Sequence, residues 1–377
     1  MIYLDNAATT GKKPEIVIKS VNNALRTMSA NPGRGGHTLS NRASEAVFEA
    51  RQKVAKMFDA DDDRVIFTPN CTTALNIAIK GVINSGQGIV ISSLEHNAVT
   101  RPTVTVNKKG CPVKVAEVIF GDADATLRSF ERAIDKNTAV VICTHASNVS
   151  GEILPIEKIG ALCKDRGITF IVDAAQTAGV LPISTKKMNI DFLCIAPHKG
   201  LYAPMGTGIL IANSEIHYPL IEGGTGVNSY SLEQPSDYPE RLESGTVNLP
   251  GIVGISAGID FVNSKGTGQI YLSELALIER LYNGLSKISG VILYTPKPQK
   301  NKYVPLLSFN LRSMPSDMVA EKLSLMGFAV RAGLHCAPLA HKRMGTIDGG
   351  TVRVSTGVFN NINEIDVFIR AVSKIKK

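Results

Sequence analysis

"ITFIVDAAQTAGVLPISTKKMNIDFLCIAPHKG", residues 168–200, contains two short apolar runs, each closed by polar groups. ITFIV ends at Asp173, and DFLCIA is followed by His198 and Lys199. Near-continuous apolar runs bounded by turn residues are the pattern of strands covered on both faces, as in a parallel sheet. The pattern repeats outward from this stretch: RVIFT at 64–68, GIVISS at 88–93, CPVKVAEV at 111–118, AVVICTH at 139–145 and GILIA at 208–212. Helix-length segments separate the runs, so residues from about 64 to 212 read as one α/β domain on a mainly parallel sheet.

Ahead of this domain, SNRASEAVFEARQKVAKMF (40–58) places Ala43, Ala46, Val47, Ala50, Val54 and Met57 on one face at helical spacing. Residues 220–250 are rich in Gly, Ser and Pro and lack periodicity. Loops of that length inside compact proteins are functional or disordered. Beyond about residue 255, LSELALIERLYNGLSKI, VPLLSFNL, SDMVAEKLSLMG and EIDVFIRAVSKI predict a smaller α+β domain.

Composition narrows the function classes. The 377 residues allow two or three domains, and 44% hydrophobic with 20% charged residues is globular. No apolar run reaches the roughly 20 residues of a membrane helix, and MIYLDNAATT lacks the character of a secretory signal, which predicts a cytoplasmic protein. The net charge of +8 is spread along the chain without aromatic platforms, which argues against nucleic acid and for small anions. Six scattered cysteines show neither a C-x-x-C pair nor zinc-like spacing, and most read as reduced, buried apolar groups. Neither a P-loop nor a G-x-G-x-x-G turn after a strand is present.

Polar residues gather at strand ends: Asn148 beyond AVVIC, Asp173 after ITFIV, and His198 with Lys199 after DFLCIA. The carboxyl ends of strands in an open α/β sheet converge on one crevice, so these residues share a site. Lys199 precedes GLYAPMGTG, whose glycines allow close backbone approach to a ligand. A lysine that forms an imine with pyridoxal phosphate (PLP), with an acid for the pyridinium nitrogen, has these parts.

LDNAATT (4–10), LEHNAV (94–99), SNVSGE (147–152), VDAAQTAG (172–179), PHKGLYAPMGTG (197–208), ESGTVNLPG (243–251), VRAGLHCAP (330–338) and TVRVS (351–355) follow one another in an order and spacing that resemble the cysteine desulfurase and selenocysteine lyase family, within the class V, fold type I PLP enzymes. The resemblance covers essentially the whole chain. It implies a large PLP-binding domain at 15–255 with a seven-stranded, mainly parallel sheet. Residues 1–14 and 256–377 would form the small domain that carries the catalytic cysteine.

By this resemblance Lys199 holds PLP and shuttles protons, Asp173 keeps the pyridine nitrogen protonated, and Gln176 bonds the phenolic oxygen. His96 is the imidazole that stacks on the ring and assists proton transfer. Asn148 contacts the ring-oxygen side or the substrate carboxylate. The phosphate is expected at the start of the helix in NCTTALNIAIKG, where free N–H groups and the helix dipole favour an anion. Cys71, through its backbone, Thr72 and the His198 ring are the matching contacts. Thr246 resembles the threonine that reaches the neighbouring subunit's phosphate, which implies a homodimer. The chain departs from the family at Ala196, where Ser or Thr is usual, so one hydroxyl contact to the phosphate is missing.

Cys336 lies between Arg331 and Arg353, and positive surroundings favour the thiolate. By resemblance it is the nucleophile that takes sulfur from L-cysteine as a persulfide, leaving alanine. Arg353 clamps the substrate carboxylate, with Arg331 as a second contact. A metal site from His335, Cys336 and His341 lacks a fourth ligand. The short LHCAP lobe is similar to the branch with SUF-type desulfurases, which implies an acceptor protein that reaches into the site. The alternatives are a selenocysteine lyase or another class V C–S lyase, and, from a different class, a non-catalytic scaffold.

Overall fold

The computed structural model describes residues 1–33 and 35–375. Its centre is a seven-stranded sheet whose strands are β2 (Val65–Thr68), β3 (Gly88–Ser92), β4 (Val113–Ala116), β5 (Thr138–Thr144), β6 (Thr169–Asp173), β7 (Phe192–Ile195) and β8 (Gly208–Ala212), following a short β1 (Ile2–Tyr3). The spatial order is β2-β8-β7-β6-β5-β3-β4. Pairing is parallel from β4 through β7, whereas β8 runs antiparallel to both β7 and β2. The mainly parallel α/β sheet expected from the apolar runs is therefore present, with one reversed strand. Strands β2, β3, β7 and β8 are buried along their whole length, which is why they lack hydrophobic alternation.

Helices cover both faces: α1 (Glu15–Thr27), α2 (Thr38–Phe58), α3 (Cys71–Val82), α4 (Asn97–Asn107), α5 (Ala123–Ala133), α6 (Ile156–Asp165) and α7 (Leu249–Lys265). In α2 the face read from sequence packs inward, with Ala43, Val47, Ala50 and Val54 buried and Ala46 and Met57 packed against the same core. Between β8 and α7 the chain runs through residues 213–248 without helix or strand. That segment is anchored by Glu243, which receives both terminal nitrogens of Arg51 at 3.0 and 2.9 Å and the Phe67 N–H at 2.6 Å.

The C-terminal part adds α8 (Thr267–Leu285), β9 (Val291–Leu293), β10 (Leu306–Leu311), α9 (Ser316–Leu325), β11 (Phe328–Ala329), β12 (Arg331–Gly333), α10 (Pro338–Met344), β13 (Thr351–Ser355) and α11 (Ile362–Ile375). Four of these strands form an antiparallel sheet in the order β12-β13-β10-β9. Strand β1 pairs in parallel with β11, tying the N-terminal residues to this second layer. Among the described residues no helix is long and apolar enough to cross a membrane.

Candidate active site

The register of the central sheet sets Thr144, Asp173 and Cys194 side by side at the ends of β5, β6 and β7. Asn148, Gln176 and Lys199 lie in the turns that follow. Two of these turns meet backbone to backbone: Gly179 sits at φ +83°, and a Cβ on either Gly179 or Gly200 would run into the other turn. Only glycine tolerates both that approach and the positive φ, so Asp173 and Lys199 are held close by the loops they introduce.

Lys199 and Asp173 share a desolvated space without forming an ion pair among the described residues. Burial pushes the Lys199 ammonium below its ordinary pKa, opposed by Asp173 and reinforced by Arg353 and Arg331. Burial pushes the Asp173 carboxyl up, opposed by the Ala175 N–H and by Lys199. The hydrogen bonds the Asp173 carboxyl accepts, from Ala175 N at 2.9 Å and Cys71 Sγ at 3.7 Å, both fall on Oδ1.

Cys71 begins α3, whose N-cap Asn70 accepts from Thr73 N at 2.9 Å. The N–H groups of Cys71 and Thr72 belong to the first turn of the helix and have no carbonyl four residues back within it, so they are free of the helix's own ladder. The N-terminal segment folds over the opposite wall. The His198 carbonyl accepts from Thr10 N, Thr10 Oγ1 and Lys13 Nζ at 3.2, 3.0 and 2.8 Å, and the His198 ring lies 3.1 Å from Thr9 Oγ1. Gln176 donates to the Ala7 carbonyl at 3.0 Å.

His96 caps α4 by accepting the Ala98 N–H on Nδ1 at 3.0 Å. A neutral ring must then carry its proton on Nε2. Burial, followed by Lys199, Arg331, Arg353 and Arg101, brings its pKa down to about 4, so the ring is neutral at physiological pH. The next residue, Asn97, donates its N–H to the Cys336 carbonyl at 2.7 Å, which sets the cysteine loop beside His96.

Cys336 is exposed, whereas the other five cysteines are buried as read from sequence. Arg331 NH2 lies 3.8 Å from its Sγ. Asn148 commits one donor to this loop, bonding the His335 carbonyl at 2.8 Å. Its own carbonyl accepts from Arg353 NH1 at 2.9 Å, and Arg353 NH2 pairs with Asp5 at 2.7 Å. The Arg353 Nε–H is buried with no partner among the described residues, which leaves a donor for an anion.

Hydrogen bonds and mutual electrostatics thus link Lys199, Asp173, His96, Asn148, His198, Cys71, Arg331, Arg353 and Cys336 as neighbours, and Gln176 lines a cavity with Lys199. Thr246 stands apart, exposed and lining a surface pocket of about 180 Å³ with Thr68, Thr73 and Asn248. Sequence reasoning missed Asp5, Thr9 and Lys13. Asp5 and Thr9 lie inside the LDNAATT motif, so a signal existed; Lys13 lies beyond that motif and carries no such signal.

A mainly parallel seven-stranded sheet with a lysine and an acid at its carboxyl edge, joined to a smaller antiparallel layer, defines a fold type I enzyme of the PLP-dependent transferase class. Residues 2–368 match the model of the aminotransferase class-V family, and the chain belongs to that family, whose members are PLP enzymes. Probable cysteine desulfurases of Methanothermobacter thermautotrophicus and Pyrococcus abyssi are each 34% identical to it, over 99% and 100% of this chain and 94% of each relative. The apo structure of a cysteine desulfurase from Thermococcus onnurineus superposes with a TM-score of 0.92 at 34% identity, covering 99% of this chain and 94% of the other. A cysteine desulfurase from Escherichia coli gives 0.88 at 26% identity, covering 99% and 94%.

Proposed function

We propose that this protein is a PLP-dependent cysteine desulfurase that converts L-cysteine to L-alanine and receives the sulfur on Cys336 as a persulfide. The observation that carries the reading is Cys336 itself: exposed, beside Arg331, and bonded through its carbonyl to the residue after His96.

The residues present fit PLP. A buried carboxylate and a buried ammonium that do not pair with each other suit a pyridinium N–H and an aldehyde carbon, and the open first turn of α3 suits a phosphate. Asp173 would bond the ring nitrogen, Lys199 the aldehyde carbon, and Cys71 N, Thr72 and His198 the phosphate, with Gln176 near the ring oxygen. When bound, PLP supplies an electron sink for negative charge at the substrate Cα.

The chain's own groups do the rest. Arg353 and Arg331 hold the substrate carboxylate, and the unpartnered Arg353 Nε–H adds a donor that desolvation makes strong. Once the substrate amine has taken its place, Lys199 is a free amine whose protonated form burial weakens, and its Nζ removes the Cα proton. The Cys336 thiolate attacks the substrate sulfur. A new S–S bond forms as the Cβ–S bond breaks, and Cβ takes the electron pair and then a proton, which His96 Nε2–H or Lys199 can deliver. The products are alanine and a Cys336 persulfide, from which an acceptor removes the outer sulfur.

A homodimer fits the exposure of Thr246 and of Tyr230, Leu232 and Met205, apolar groups that a second copy would cover. The test is single-turnover alanine release from L-cysteine by PLP-loaded protein, beside Cys336→Ala, with the sulfur adduct located by mass. Alanine and a one-sulfur adduct on Cys336, both lost in the variant, are expected. Unchanged alanine formation in the variant would refute the role of Cys336, and pyruvate in place of alanine would make the protein a β-elimination lyase.

A further inference from the structure

Cys336 is presented by a turn that the backbone does not favour. His335 and Cys336 both lie in the left-handed region, at φ 49° and 55°, where residues with a Cβ are rarely found. Such a conformation persists only where its surroundings over-determine it. Two anchors belong to the site already described, Asn148 Nδ2 to the His335 carbonyl and Asn97 N to the Cys336 carbonyl, and a third closes the turn itself, Ala337 N to the Leu334 carbonyl at 2.9 Å. The fourth is the His335 ring, which bonds Arg331 on one side and on the other leads to His341 and Thr346, residues with no other part in the site.

His335 Nε2 lies 3.3 Å from the Arg331 carbonyl oxygen, an atom that only accepts, so Nε2 carries the proton. Burial lowers both neighbouring imidazoles, His335 to about 2 and His341 to about 4, so each ring holds one proton at neutral pH. His335 Nδ1 is then a bare acceptor. It faces His341 Nε2 at 3.3 Å, and that nitrogen must be the N–H. His341 Nδ1 is bare in turn and takes the hydroxyl hydrogen of Thr346 at 2.7 Å. A one-way chain of hydrogen bonds runs from Thr346 through His341 and His335 to Arg331, with the two ring planes 11° from parallel and their centroids 5.5 Å apart, as an edge-to-edge bond requires. His341 is fully buried on α10, so nothing in solvent substitutes for it.

We propose that His341 is a positioning residue for the sulfur transfer: through the hydrogen its Nε2 donates to His335 it holds the left-handed turn that presents Cys336. The proposal rests on the reading of Cys336 as the nucleophile. It gives the second histidine of LHCAPLAH a role that neither a metal site nor ordinary packing would provide.

The test compares His341→Gln, whose amide N–H stands where Nε2–H stood, with His341→Leu, which fills similar space without a donor. Single-turnover persulfide formation on Cys336 is expected to fall about tenfold or more in the Leu variant and to stay within about threefold in the Gln variant, because misplacement of a reacting group by an ångström is worth that much. The KM for L-cysteine should move little in either. Amide hydrogen exchange of residues 334–337, read on the holoenzyme, should quicken in Leu and not in Gln. Should His341→Leu fail to fold, Thr346→Val is the second probe; by releasing His341 to the wrong tautomer it should quicken the same exchange. Equal persulfide rates and equal exchange in the Leu, Gln and wild-type proteins would overturn the proposal. If wild type itself forms no persulfide, the desulfurase reading fails and the exchange comparison alone decides the clamp.

Discussion

Arg331 and Arg353 stand directly opposite each other across the antiparallel pair β12–β13, so their guanidinium groups leave the same face of the sheet. Like charges in that relationship repel, and Arg353 is almost wholly buried. The arrangement holds because Asp5, from the other end of the chain, pairs with Arg353 NH2 at 2.7 Å. One acid for two arginines leaves the face short of negative charge, which is the electrostatic demand of a site built for a carboxylate substrate.

Asp5→Asn should therefore cost about 1–3 kcal/mol of stability, less than a fully buried pair because Asp5 keeps some solvent exposure. The lost charge should make the site hungrier for an anion. Thermal unfolding with and without L-alanine checks this: the ligand-induced rise in Tm is expected to be larger in the variant than in wild type. An equal rise would mean that Asp5 does not balance Arg353.

The ion pair Arg51–Glu243 has both side chains nearly excluded from water and joins α2 to the long segment 213–248. Removing one partner leaves an unpaired buried charge, so Glu243→Ala should cost about 3–5 kcal/mol in denaturant titration. The same variant should free the segment that carries Thr246, seen as faster proteolysis between residues 213 and 248. A loss below about 1 kcal/mol would show that the pair is solvated in practice.

Glu95 lies fully buried beneath His96, accepting from Ser92 Oγ and from Thr144 N at 2.7 Å on one oxygen, while Oε2 lacks a partner among the described residues. Burial raises its pKa from 4.5 to about 8. Between those values the folded protein binds more protons than the unfolded chain, so this group's contribution to stability falls as pH rises from about 4.5 to about 8. Glu95→Gln removes that dependence. The Tm of the variant relative to wild type should climb across this window and level off above it. A difference that is flat with pH would place the proton elsewhere.

Legibility followed the range of the interactions. The strands of the central sheet other than the edge strand β4 were readable because burial on both faces leaves a near-continuous apolar run, but GILIA carries no mark of direction, and β8 proves antiparallel. Asp173 and Lys199 were readable because strand ends converge by topology alone. What ties them into a site was not. Lys13 reaches the His198 carbonyl across 185 positions, and Asp5 reaches Arg353 across 348. His341 was weighed only as a metal ligand, since nothing local shows that its partner would be another imidazole.

Ala196, at the end of β7, is the last place where the chain's own chemistry can be pushed. Its methyl packs in the same buried cluster as Cys71 and Cys194, next to the first turn of α3. The resemblance implies a hydroxyl there, and introducing one should have opposite consequences with and without the phosphate. In the apo protein Ala196→Ser buries a polar group with no assured partner, at about 1–3 kcal/mol, so Tm should fall. With PLP bound, the hydroxyl can donate to the phosphate, and hydrogen bonds to charged groups are the stronger kind, at about 1.5–3 kcal/mol. The gap between apo and holo Tm should widen, and PLP loss on dialysis should slow by about tenfold for each ~1.4 kcal/mol gained. If Tm falls equally in both forms, the hydroxyl does not reach the phosphate, and Ala196 is packing alone.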